Sequence, residues 1–273
     1  MNREDYVIDK LSSKYIGDDA AIIGNKIYSM DAFFEDIHFK REWMSMYQIG
    51  RKAMLVNLSD AIAMNADPKY ALVTLSLPKY ILQDEIDEIL DALESTAAEF
   101  NCEIIGGDTI AGEKLHLSIT IISESDNPLK RAKIEEGDFL AYTGKLGESK
   151  RDLERLMRGE SIDSNSRFYE PQLRGEFIKE VRAYINAGMD ISDGLFCDTN
   201  KLLATHNFSM ELLEEISEEV GKSGEEYEML ISFSSKHYAK VEEIAKKNAL
   251  PLTLFAKVLK DGGELFKCEN HHF

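Results

Sequence analysis

Asn57-Leu-Ser-Asp-Ala-Ile-Ala-Met-Asn-Ala-Asp-Pro68 closes a helix that the spacing predicts from near Ser45, and the rest of the chain is read outward from it. Ile49, Ala53, Val56 and Met64 follow a period of three to four residues, with gaps of four, three and eight, so Asn57, Asp60 and Ala61 share or border the stripe that faces inward. A carboxylate at Asp60 therefore needs a cation, hydrogen bonds or a bound metal, because burying an unpaired charge is costly. Asn65, tolerant of a left-handed backbone, and Pro68, unable to continue a helix, supply the stop.

Upstream, residues 1–16 form a short amphipathic start that leads into Gly17-Asp-Asp-Ala-Ala21. Ile22-Ile23 and Lys26 to Met30 predict a hairpin around Gly24-Asn25, with Asp31 at the end of its second strand. Downstream, Tyr70 to Leu77 predicts a buried strand. A helix from Ile81 to about Phe100 follows, its stripe made by Ile86, Ile89, Leu90, Leu93 and Ala97. Its acids, from Asp84 to Glu94, form a solvated face. Cys102 to Ile105 predicts a brief strand running into Gly106-Gly107-Asp108-Thr109, and Leu115 to Ser123 another strand.

A boundary near Asn127-Pro128 divides the chain into domains 1–127 and 128–273. The second has a strand at Phe139 to Thr143, a helix to about Arg158 and another from Pro171 to Ile185. Ala187-Gly-Met-Asp-Ile-Ser-Asp-Gly-Leu195 then reads as a tight loop feeding a helix over 194–205. A strand near Phe208 to Leu212 and a strand, helix and strand within 229–258 complete the pattern. No tandem repeat or low-complexity tract is present, and two α/β halves fit this order best.

Composition limits the function. The chain has 273 residues, 44% of them hydrophobic, and a formal net charge of −18; that charge argues against nucleic acid or an anionic membrane as partner. No stretch approaches the ~20 apolar residues of a membrane span, and the expected location is cytoplasmic. Cys102, Cys197 and Cys268 are odd in number and lack Cys-x-x-Cys spacing, so they read as reduced thiols.

Aspartates stand beside glycine or at element ends in several places: Asp18-Asp19, Asp31, Asp108 and Asp190 with Asp193, besides Asp60. Converging carboxylates repel, and Mg²⁺ relieves that repulsion while leaving positions open for phosphate oxygens. Gly106-Gly107 permits close backbone approach, and amides near Gly194 suit an anion. These are the parts of phosphoryl transfer. The G-x-x-x-x-G-K-[ST] loop, the protein-kinase motifs and G-x-G-x-x-G are missing. The residues alone thus indicate a metal-dependent phosphate enzyme, with a noncatalytic divalent-ion-binding protein as the alternative.

Six ordered motifs carry a family resemblance: Gly17-Asp-Asp-Ala-Ala21, Ser29-Met-Asp31, Asn57-Leu-Ser-Asp60 with Asn65-Ala-Asp-Pro68, Gly106-Gly-Asp-Thr109, Asp190-Ile-Ser-Asp-Gly-Leu195 and Ser223-Gly-Glu-Glu-Tyr-Glu228. Together they resemble thiamine-monophosphate kinase, within the aminoimidazole ribonucleotide synthetase superfamily. The resemblance implies an α/β (α+β) two-domain PurM-like fold, with an N-terminal mixed sheet and a C-terminal α+β sandwich domain. It implies ATP-dependent phosphorylation of thiamine phosphate to thiamine diphosphate by direct in-line transfer, with several Mg²⁺ ions, in a homodimer. By position, Asp19, Ser29, Met30 (through its carbonyl), Asp31, Asp60, Asp108, Asp190 and Asp193 would bind metal. Gly107, Asp108, Arg131 and Ser192 would meet ATP, with Asp108 and Arg131 catalytic, and His38, Glu225 and Phe266 would meet the substrate. Met30 replaces a common threonine, and Ser223-Gly-Glu-Glu226 replaces a usual Gly-Gly-Glu-Asp. Another ATP-dependent enzyme of the same superfamily is the nearest alternative.

Overall fold

Helix α2 (Met46–Ala63) is buried on nearly all sides, which is why its apolar residues do not stay on one stripe. Its start is fixed by a capping box: the Ser45 hydroxyl accepts the Gln48 amide (3.2 Å), and the Gln48 side chain accepts the Ser45 amide (3.0 Å). At its other end Asn65 takes a left-handed backbone (φ 55°) and donates to the Asn127 carbonyl at 3.0 Å.

The computed structural model describes residues 3–268. Before α2 come α1 (Arg3–Lys10), β1 (Ala21–Ile23) and β2 (Lys26–Phe34); after it come β3 (Asp67–Pro78), α3 (Gln83–Glu99), β4 (Glu103–Gly112) and β5 (His116–Glu124). The second half holds β6 (Phe139–Thr143), α4 (Glu148–Met157), α5 (Gly175–Val181), β7 (Ala187–Asp190) and α6 (Leu195–Ala204). It continues with β8 (Ser209–Leu212), α7 (Glu218–Gly221), β9 (Met229–Phe233), α8 (Tyr238–Lys247) and β10 (Leu252–Leu259). Among the described residues the strands form two five-stranded sheets, ordered β1-β2-β5-β3-β4 and β7-β9-β6-β10-β8.

The first sheet is mixed: β3 and β4 run parallel across the α3 crossover, and its other pairings are antiparallel. Helix α2 covers one face, sealing Ile27, Phe33, Ala71, Leu117 and Ile119 into the first core. Among the described residues no helix lies over the opposite face, which exposes Tyr28, Met30, Tyr70, Leu72 and Ile110. The second sheet is antiparallel, and its pairs hold two cores, one of them packed by α5 and α8 and the other by α6.

Four expectations are corrected. The second strand of the hairpin, expected over Lys26 to Met30 with Asp31 at its end, runs on to Phe34, so Asp31 lies inside β2 and in register with Ile119. The strand expected to stop at Ile105 continues through Gly106-Gly107-Asp108 to Gly112 as a sheet edge. Gly107 serves that edge directly: at φ +150° a Cβ there would fall 1.7 Å from the Val73 carbonyl oxygen, so only glycine lets β4 lie against β3. The helix expected over 171–185 is confined to Gly175–Val181, since 171–174 form an irregular entry. Cys197 and Cys268 are not free thiols; they form a disulfide across 71 residues of chain, while Cys102 is free and buried. The disulfide fastens the C-terminal segment to α6, where Phe266 also stacks on Phe196 with ring centroids 4.1 Å apart.

Closing a loop of that length removes enough unfolded-state entropy to stabilise the fold by about 4 kcal/mol. Denaturant titration with and without a thiol reductant is expected to show a loss of that order, with alkylation of Cys197 and Cys268 detected by mass spectrometry. An unchanged midpoint after complete reduction would contradict the assignment.

Candidate active site

Four carboxylates from distant parts of the sequence meet where α2 passes between the two halves. Asp19 comes from the loop before β1, Asp31 from β2, Asp60 from α2 and Asp190 from the end of β7. Burial pushes the Asp19 carboxyl up to about 7, although Arg131 opposes the shift. Asp31, open to solvent on one side, is pushed up to about 6 by partial burial and by the negative charges of Asp19 and Asp193. Asp60 lies well above the ordinary carboxylate range, through burial first and then through Asp31, Asp190 and Asp19. Asp190 is also raised by burial, against the Ser59 hydroxyl, which donates to its Oδ2 at 2.5 Å. That bond ties the first half to the second.

Arg131 is the cation placed against this group. Its Nε donates to Asp19 at 3.1 Å, its Nη2 pairs with the same carboxylate, and its amide donates to Asp18 at 2.8 Å. Burial opposes its charge, but Asp19 and then Asp190 hold the guanidinium firmly protonated. Ser29 stands two residues before Asp31 on the same side of β2, and among the described residues its buried Oγ has no hydrogen-bond partner. Among the described residues no three His, Cys, Asp or Glu side chains are already gathered tightly enough to hold a metal. The donor set nonetheless fits Mg²⁺: it is all oxygen, it repels itself, and it includes an orphaned buried hydroxyl.

Beside the carboxylates, residues 190–193 are held against 225–228. The Glu225 amide donates to the Ser192 carbonyl (2.7 Å) and the Tyr227 amide to the Ile191 carbonyl (2.9 Å). Glu225 and Tyr227 both adopt left-handed backbones, φ 53° and 51°. Two buried acids brace this bend. Glu226 accepts from the Gly147 amide (2.8 Å) and the Ser223 hydroxyl (2.5 Å), and Glu228 binds Arg167, Arg174 and the Thr143 hydroxyl. Asp193 pairs with Lys201, and its amide donates to buried Asp198 at 3.0 Å.

An open cavity of about 500 Å³ runs alongside. Ser192 and Asp193 line one part of it, and His38, Trp43, Phe168 and Glu225 line others. His38 Nδ1 accepts the Phe34 amide (2.9 Å), which leaves the proton of the neutral ring on its other nitrogen. Lys52, fully buried on α2, donates to Glu225 at 2.6 Å.

The structure therefore brings Asp19, Ser29, Asp31, Asp60, Arg131, Asp190 and Asp193 to one locality, and His38, Ser192 and Glu225 to the adjoining cavity. It does not bring Asp108 there. Asp108 pairs with Thr74 on the uncovered face of the sheet, whereas Asp31 lies in register with Ile119 and Val73 on the α2 side. Three strand spacings, roughly 14 Å, and the sheet itself separate the two. Gly107 shares that edge. Met30 turns its side chain to the uncovered face, so only its main chain could serve the site. Phe266 is packed on Phe196, with its main chain bonded to Asn200, and is not part of the cavity wall. Trp43, Phe168, Asp198 and Lys52 were not singled out from sequence. Lys52 could have been, since it sits between Ile49 and Val56 in an inward stripe.

The two-sheet fold, with carboxylates gathered beneath the first sheet, defines a class. Residues 17–124 match the family model described as AIR synthase related protein, N-terminal domain. The thiamine-monophosphate kinase of Aquifex aeolicus is 31% identical over 221 residues, covering 77% of this chain and 72% of that one. The one from Rhodopirellula baltica is 30% identical over 277 residues, covering 89% and 83%. Among solved structures, AaThiL complexed with AMPPCP and TMP superposes with a TM-score of 0.84 at 26% identity, covering 95% of this chain and 90% of that one. The chain belongs to the thiamine-monophosphate kinase family.

Raised carboxyl pKa values set the sign of a pH effect. The folded state holds protons that the unfolded chain has released, so this contribution to stability is complete below about pH 4 and is lost as pH rises through about 7. Without metal, Asp60→Asn is expected to unfold at a higher temperature than the parent above pH 7, with the advantage shrinking toward pH 4. Mg²⁺ should raise the midpoint of the parent more than that of the variant. A variant less stable than the metal-free parent at pH 8 would contradict the repulsion argument.

Proposed function

We propose that this chain transfers the γ-phosphoryl group of ATP to thiamine phosphate, yielding thiamine diphosphate and ADP. The observation that carries the reading is the junction of an acidic, oxygen-only group with a cavity that offers aromatic rings and a carboxylate. A cationic heterocycle bearing a phosphate complements that junction end for end.

Bound Mg²⁺ would neutralise the two facing anions, held by Asp19, Asp31, Asp60, Asp190 and Asp193 with the Ser29 hydroxyl and the Met30 carbonyl. The acceptor needs no strong base: a phosphate monoester has its second pKa near ~6 and is mostly dianionic at neutral pH. The protein's task is to position and to balance charge. Arg131 is placed to meet charge that spreads over the transferring group, Ser192 to contact the nucleotide, and His38 and Glu225 to orient the acceptor.

Asp108 and Gly107 join this reading through a second copy of the chain. The uncovered sheet face exposes Tyr28, Met30, Tyr70, Leu72 and Ile110, which suit burial against a second copy of the chain, and Asp108 on that face would then lie at the junction of the two copies. The working unit is then a homodimer with shared sites. Among the described residues no helix is long and apolar enough to cross a membrane. A cytoplasmic location belongs to the same reading, because both substrates are anions that do not cross a bilayer unaided.

Purified protein supplied with Mg-ATP and thiamine phosphate should form thiamine diphosphate and ADP in equal amounts; no thiamine diphosphate would end the proposal. Arg131→Met is expected to lower kcat by about 10²–10³-fold, the scale of losing one charge-stabilising donor. Asp108→Asn and Asp60→Asn should each be nearly inactive alone. If each site draws on two subunits, mixing and reassociating them should restore about a quarter of the parent activity, since half the dimers are mixed and each has one intact site. No recovery despite proven subunit exchange would place Asp108 outside the partner's site.

A further inference from the structure

Resting on the reading above, we infer that Trp43, met edge-on by Phe168, is the surface on which the cationic heterocycle of the substrate lies. Trp43 is in the loop between β2 and α2, partly exposed, with its ring on the cavity wall. Phe168 is buried in the connection between α4 and α5, and the two rings meet at 70° with centroids 6.4 Å apart. The acidic end of the same cavity, at Ser192 and Asp193, is the place for a phosphate near metal, so the ring end of an extended substrate falls toward the aromatic wall.

Both rings already accept cations. Lys40 Nζ stands 4.9 Å from the Trp43 centroid, and Lys52 Nζ stands 4.1 Å from that of Phe168. The face of an aromatic ring carries negative potential, strongest for tryptophan. Lys40 is about half exposed and is not buried in a fixed network, so a flat cationic ring can displace it from Trp43. Lys52 is sealed behind Phe168 and bonded to Glu225, so it stays. The late aromatic residue that the sequence offered for this contact, Phe266, is occupied against Phe196. Trp43 and Phe168 stand where that contact is needed.

Trp43 also packs against the first core, so the test needs a readout that packing alone does not move. It is the only tryptophan in the chain, and its emission can be excited where tyrosine does not absorb. Saturable quenching is expected with thiamine phosphate and, more weakly, with unphosphorylated thiamine, but not with Mg-ATP alone. Trp43→Ala should raise KM for thiamine phosphate by about five- to thirtyfold, the range of a cation–π contact. KM for ATP and kcat should stay within about twofold of the parent, and Trp43→Phe should recover most of the loss, because a smaller ring still offers a face. Lys40→Ala should leave KM unchanged or lower it.

The inference fails if the parent forms thiamine diphosphate while its emission ignores saturating thiamine phosphate, or if a folded Trp43→Ala keeps the parent's KM. In either case the activity reading survives. If the parent forms no thiamine diphosphate, that reading has failed first, before any variant is made. Emission from the parent decides the matter even where Trp43→Ala does not fold.

Discussion

Mutual repulsion among Asp19, Asp31, Asp60 and Asp190 is the constraint around which this molecule is arranged. Each is held near the others by structure formed elsewhere: the loop before β1, strand β2, a capped helix and the end of a β-strand from the opposite half. The Ser59 bond to Asp190 couples the halves beside these carboxylates. Arg131 offsets part of the charge from within the chain. Burial and like charge together raise the carboxyl pKa values, so the cluster is best relieved by an added cation. The carboxylates are thus kept together at a cost to the stability of the metal-free fold.

A second layer of charge is satisfied inside the protein and has a different task. Glu228 lies between Arg167 and Arg174, and Glu226 caps main-chain amides, so both are bound by hydrogen bonds. They fix the bend that turns Glu225 toward the cavity. Removing one partner of such a buried set leaves the other uncompensated, typically at a cost of about 3–5 kcal/mol. Three glutamates in four residues thus divide into two that build the wall and one that faces the cavity.

Much of this was legible in the sequence because it follows local rules. The start of α2 at Ser45, its stop at Asn65 and the place of Asp190 at the end of a strand all come from capping, turn chemistry and periodicity, whereas Asp31 and Asp108, expected at element ends, lie inside β2 and β4. What escaped depends on long-range register. Asp108 was visible as a motif residue, but its face of the sheet is set by an irregularity between Ala71 and Leu72, opposite Ile104 and Gly106. A one-residue slip reverses every side chain beyond it. The partners of Cys197 and Lys52 lie 71 and 173 residues away, beyond the reach of any spacing rule. Phe168 lies in a connection with no periodicity to mark it as part of a cavity wall.

Helix α2 also acts as a ruler. Lys52, which anchors the carboxylate at one end of the cavity, and Asp60, in the acidic group, are fixed on one rigid rod, eight residues and therefore about 12 Å apart along its axis. Neither can shift along the axis without the other, so the helix itself sets the span between the anchor of Glu225 and the acidic group. Were an acceptor's ring and phosphate held at those two ends, a linker one methylene too long or too short would satisfy one and miss the other.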